Sequence, residues 1–105
     1  MSKSIEKVAS KDAKRENHGA LLLATGSQIG MRMWRDEQPG EPKPRARRDY
    51  ETVGYVISGS AELHLEGSTV TLEAGDSWVV PKGAEHTYKI LSVFSAVEAT
   101  APAPS

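Results

Sequence analysis

The most regular stretch of the chain is AELHLE, residues 61 to 66. Ala61, Leu63 and Leu65 alternate with Glu62, His64 and Glu66, the period-two pattern of a strand with one buried face. Shorter runs of the same kind lie on both sides. ALLLAT (20–25) precedes a Gly26-Ser27 turn, and QIGMRMWR (28–35) sets Ile29, Met31 and Met33 against Gly30, Arg32 and Trp34. YETVGYVIS (50–58) is rich in β-branched and aromatic residues, with a tight turn expected at Ser58-Gly59. Gly67-Ser68 turns the chain into TVTLE, Ala74-Gly75-Asp76 into SWVVP, and Pro81-Lys82-Gly83-Ala84 into HTYKILSVFSAVEA (86–99). Strands about eight to twelve residues apart with Gly/Pro punctuation predict an all-β sandwich or barrel.

The remaining segments are irregular. DEQPGEPKP (36–44) carries three prolines and a glycine and reads as a polar loop. Ile5, Val8 and Ala9 have helical spacing that does not extend, so residues 1–19 are an N-terminal arm with at most one turn. Residues 20–98 form the barrel, and ATAPAPS (99–105) an extended tail.

Composition narrows the function classes. A chain of 105 residues makes one domain, small enough that association with a second copy is expected. Thirteen Lys plus Arg against 14 Asp plus Glu give a formal charge of -1, which offers nothing to nucleic acid or an anionic membrane. The absence of cysteine removes disulfides, thiolate metal sites and cysteine nucleophiles. The N-terminal residues lack a signal peptide's apolar run, and ALLLA (20–24) is too short to cross a bilayer. A soluble, cytoplasmic protein is the expectation.

Two segments resemble a known family. GDSWVVPKGAEH (75–86) resembles the second signature of the cupins, matched at Gly75, Pro81, Gly83 and His86, with Ile90 where the family carries Asn. YVISG resembles the close of the first signature, ending at Gly59. The resemblance spans roughly residues 20 to 98 and implies a double-stranded β-helix, or jelly-roll barrel, of the RmlC-like type-2 kind. The turn residues support the fold; the chemistry has to come from individual side chains.

Metal-binding cupins hold their ion with His-x-His and a carboxylate from the first signature and a His from the second. By the family's spacing these positions fall at Ala46, Arg48 and Thr52 or, one frame over, at Arg45, Arg47 and Glu51. Neither frame contains a histidine. His86 survives, with Glu51 as a second ligand in the shifted frame, so a divalent metal is not favoured; the alternative set is His86, Glu51 and His64 (or Tyr50), His64 only if the polar face of AELHLE turns inward. His18 lies in the arm with no motif around it.

Arg45, Arg47 and Arg48 crowd the approach to a strand. They suit a solvated loop, with Asp49 as a weak partner. They also suit an anion site, since an inward guanidinium offers a planar fork to a carboxylate or phosphate. On that reading Arg47, Arg48 and His86, with Tyr50 and Tyr88 nearby, bind a small anionic molecule above an apolar cavity drawn from Val56, Leu63, Leu65, Leu72 and Val80. Trp34 and Trp78 suit core or interface positions, and a homodimer through one sheet face is expected. Three functions stay open: a small-molecule-binding cupin, a metal-dependent oxygenase, isomerase or lyase, and a metal-free acid–base enzyme pairing His86 with Tyr88.

Overall fold

The computed structural model describes residues 5–16 and 19–103. His18, named above, lies outside the described residues. Six strands follow one another: β1 (Leu21–Thr25), β2 (Gly30–Glu37), β3 (Glu51–Leu65), β4 (Ser68–Glu73), β5 (Ser77–Val80) and β6 (His86–Ala101). The sheet order is β1-β2-β6-β3-β4, with β5 on β3, and every pairing is antiparallel. The all-β jelly-roll expectation holds. The arm contributes one 3-10 turn, Ser10–Asp12, and docks where Arg15 pairs with Leu21. Among the described residues no helix is long and apolar enough to cross a membrane.

Two long strands organise the barrel. β3 and β6 pair from Glu51–Ala101 at one end to Leu65–His86 at the other. The near half of β3 also pairs with β5, and its far half with β4. Opposite β4, residues 40–46 run along the other edge of β6. Gly40 and Lys43 donate backbone N–H groups to Ile90 and Tyr88, and Ala46 and His86 exchange N–H···O bonds of 2.9 Å. The segment read as an irregular loop thus forms part of the barrel wall, satisfying backbone groups that β6 would otherwise leave bare.

Ser58-Gly59 is not the turn expected from sequence. β3 runs straight through it, and the ladder to β6 is irregular between Val56 and Ala61. Before this bulge Thr52, Gly54 and Val56 are buried; after it Ala61 and Leu63 are. One extra residue moves the inward set from even to odd positions and lets a single strand serve both walls. Gly59 has φ of +80°, and a Cβ there would stand 1.9 Å from the Val93 carbonyl oxygen, so only glycine fits. The β3–β4 hairpin turns on Glu66 and Gly67, one residue earlier than expected. Both have positive φ, as a two-residue type I′ turn requires. β6 continues to Ala101, so the tail starts later than residue 99.

The core comprises Val56, Ala61, Leu63, Leu72, Val80 and Ala96, joined by Trp78, Ile90 and Phe94. The Trp78 indole packs against its ladder partner Gly54, where any Cβ would come within 2.3 Å of the ring. This core fills one part of the barrel, while the part bounded by β2, β6 and residues 43–48 stays open.

Candidate functional site

The open end holds a cavity of about 500 Å³, ordinary for a small-molecule site. Its walls come from three places. Arg32 and Trp34 project from β2, Trp78 from β5, and His86, Tyr88, Ile90, Phe94 and Glu98 from β6; residues 43–48 close the rim. The apolar lining is therefore largely aromatic, with Ile90, and differs from the set expected. Val56, Leu63, Leu72 and Val80 fill the core instead, with Leu65 packed against it. Trp34, for which an interface was one expectation, faces the cavity.

A buried ion pair crosses the inner wall. Arg32 is 7 % exposed and Glu98 3 %, and the Arg32 Nε and Nη2 atoms each stand 3.0 Å from Glu98 Oε2. The other carboxylate oxygen accepts the Trp34 indole N–H. Burial works against the charged guanidinium, but Glu98 and then Tyr50 outweigh it, so Arg32 is held above the ordinary arginine value. Arg32 also stands 5.7 Å from the Trp34 ring centre and 5.6 Å from that of Tyr50.

Tyr88 occupies the centre of the aromatic lining. Its hydroxyl accepts the Trp78 indole N–H at 3.2 Å, and its ring meets Trp78 and His86 edge-on. Burial first, then the Glu98 carboxylate, push the phenol well above its usual range, and the Trp78 bond only partly opposes them. The Tyr88 hydroxyl is thus a neutral group. The His86 Nδ1 lies 3.0 Å from the Ala84 carbonyl oxygen. A carbonyl only accepts, so Nδ1 carries a proton and a neutral His86 keeps its lone pair on Nε2.

The rim arginines divide into two kinds. Arg45 pairs with Glu85, and Arg47 with Glu66 and Glu85, while Arg47 also donates to the Gly83 carbonyl. Lys43 pairs with Glu37. Arg48 lines the cavity, is partly buried, and has no carboxylate within ion-pair reach among the described residues. Of the anion-site residues named from sequence, Arg47, Arg48, His86 and Tyr88 line the cavity. Tyr50 does not; it sits behind Arg32.

The alternative metal set is not assembled. Inward positions on the near half of β3 are even-numbered, so Glu51 is exposed on the outer surface. Past the bulge they are odd-numbered, which puts His64 outside, bonded to Glu62 and Thr69 at 3.2 Å each. Glu51 sits at the opposite end of the β3–β6 ladder from His86, and His64 on the opposite face of β3 from the inward set. Among the described residues no three His, Asp or Glu side chains gather into a cation site. Sequence reasoning missed Arg32, Trp34 and Glu98. A signal was present: Glu98 shares even parity with His86, Tyr88 and Ile90, and Arg32 and Trp34 share a face opposite Met31 and Met33.

The cupin domain family model matches residues 33–97, the span from the ion pair's strand to the end of the core. The chain is a cupin. An uncharacterized protein of Aquifex aeolicus is 36 % identical over 52 residues, a match covering 50 % of this chain and 43 % of that relative. An RmlC-like cupin from Shewanella frigidimarina superposes with a TM-score of 0.82 at 20 % identity, covering 100 % of this chain and 97 % of the other. KdgF from Halomonas superposes at 0.72 with 21 % identity over 80 % and 79 % of the two chains. Salicylate 1,2-dioxygenase from Pseudoaminobacter salicylatoxidans does so at 0.71 with 19 % identity, over 78 % of this chain and 25 % of that one. At such identities the likeness shows the fold alone. Of the two frames that the family spacing allows for metal ligands, Ala46, Arg48 and Thr52 are at least partly buried, while Arg45, Arg47 and Glu51 are exposed. A methyl, a guanidinium and a hydroxyl do not fit a divalent ion in the manner of imidazoles and a carboxylate.

Proposed function

We propose that this cupin binds a small anionic molecule at the barrel mouth, with Arg48 as the principal charge partner and His86 as a second polar contact. The observation that carries the reading is Arg48: a partly buried, cavity-lining guanidinium without a carboxylate partner among the described residues. Its neighbours Arg45 and Arg47 have theirs. A fork left open beside a pocket suits an incoming carboxylate or phosphate. The inner Arg32–Glu98 pair adds polarity without net charge, so it does not repel an anion.

The test is calorimetric titration of small carboxylic acids and sugar phosphates into the wild type, Arg48→Gln, Arg47→Gln and His86→Gln. Removing the charge-assisted hydrogen bonds that Arg48 donates weakens binding roughly ten- to a hundredfold. Arg47→Gln changes it less than about threefold, as for a solvent-exposed ion pair. An anion that binds Arg48→Gln as tightly as wild type sinks the reading. Loss of turnover rather than affinity in His86→Gln would move the protein to the acid–base enzymes.

The expected homodimer belongs with this proposal. Val53, Tyr55, Ile57 and Val79 are about half exposed and adjoin one another on the outer face of β3 and β5. Sedimentation equilibrium of wild type and Tyr55→Glu reads the association directly; an unchanged monomer in both removes it.

A further inference from the structure

We propose that the molecule held at this mouth is a planar aromatic acid rather than an aliphatic one. The proposal rests on the anion-binding reading and adds the character of the ligand's body. It comes from where the chain places its rings. The sequence has two Trp, three Tyr and one Phe. Both tryptophans, Tyr88 and the single phenylalanine line the cavity. Tyr50 lies directly behind, against Arg32, and the remaining tyrosine, Tyr55, faces outward.

Bulk alone does not explain this segregation. The deepest part of the core is filled by aliphatic side chains, with Val56, Ala61 and Ala96 fully enclosed. If rings served only to fill volume, they would be expected there. Trp78 and Phe94 belong to the buried core, yet both also line the cavity with Trp34 and Tyr88, so the rings gather where the core meets the open end.

The rings are also held in a defined arrangement. Trp78 and Tyr88 meet at an interplanar angle of 73° with centroids 6.4 Å apart, and His86 and Tyr88 at 80° and 5.8 Å. The Trp78 indole N–H anchors the pair to the Tyr88 oxygen, and the missing Cβ of Gly54 makes room for the Trp78 ring. In an edge-to-face series each ring's positive edge points at its neighbour's negative face. An aromatic ligand extends that series. A saturated ring of the same outline has no quadrupole and benefits only from buried area. Because the partners are already fixed, the ligand does not have to order them. Arg48, on the rim, takes the carboxylate.

Matched acids test this on the full-length protein: benzoate against cyclohexanecarboxylate, and 2-naphthoate against decahydro-2-naphthoate, each by calorimetric titration, with benzyl alcohol as the uncharged control. The expected result is roughly tenfold tighter binding of each aromatic acid than of its saturated partner, as one or two added ring pairs supply. Benzyl alcohol binds more weakly than benzoate. Arg48→Gln lowers the affinity of both acids by a similar factor and keeps their ratio. Phe94→Leu, with its thermal midpoint recorded as a folding control, moves the ratio toward one. If aromatic and saturated acids bind equally in wild type, the ring inference is overturned while the anion site stands. If neither acid binds in either pair, both fall.

Discussion

Arg32 and Glu98 face each other directly across the β2–β6 ladder, and both side chains turn into the barrel, where two guanidinium nitrogens meet one carboxylate oxygen at 3.0 Å. Sixty-six positions separate them in the chain. Both side chains are almost wholly buried, so losing either partner leaves the other charge poorly compensated.

Glu98→Gln therefore leaves Arg32 as an uncompensated buried cation. The expected loss is about 3–5 kcal/mol in urea unfolding. Replacing both residues together, Arg32→Met with Glu98→Leu, costs much less than that single change, since apolar pairs of similar volume tolerate such sites. A double variant as unstable as Glu98→Gln would remove the uncompensated charge as the cause of that loss.

Tyr88 makes stability depend on alkaline pH. Its folded-state pKa is raised by burial above the ordinary tyrosine value, so the unfolded chain loses the phenolic proton first. The stabilisation is complete below about pH 10, the free tyrosine value, and declines as pH climbs beyond it toward the folded pKa. Denaturation midpoints followed from pH 8 to 11 should fall more steeply in wild type than in Tyr88→Phe. Parallel curves would remove Tyr88 as the cause.

Gly59 and Gly67 have nearly the same φ, +80° and +84°, but different surroundings. Nothing lies within 4 Å of a Cβ added at Gly67, so Gly67→Ala carries only the left-handed penalty of roughly 1–2 kcal/mol. At Gly59 the added carbon meets the Val93 backbone, which has no side-chain freedom with which to move away. Gly59→Ala is expected to cost more than about 4 kcal/mol, a loss approaching the whole stability of a small domain. Soluble yield and thermal midpoint distinguish the two.

Glu51→Gln and His64→Ala should leave ligand affinity and any bound metal unchanged, because both side chains lie outside the barrel. Elemental analysis of the dialysed protein beside His86→Ala checks this. Metal lost on changing either outward residue would require a register different from the one found.

Much of the fold was legible in the chain. AELHLE specified a strand with a leucine face, and the Gly75–His86 signature placed two turns and the inward histidine. Alternation also paired Arg32 with Trp34 on one face. Its limit is that a period of two groups side chains into faces without saying which face is the lumen. His64 and Glu51 stayed ambiguous for that reason.

The sequence by itself determined most of the strands and, within each unbroken run, which residues share a face, because these follow from local backbone geometry and nearest-neighbour spacing. Tertiary structure decided the rest. The bulge at Gly59 set the inward parity of each half of β3, since the Val93 backbone crosses there. Pairing of β2 with β6 brought Arg32 to Glu98. Closure of the barrel gathered Trp34, Trp78, Tyr88 and Phe94 around one cavity beside Arg48. Contacts between strands distant in sequence depend on register, and register is fixed only when all the strands pack at once.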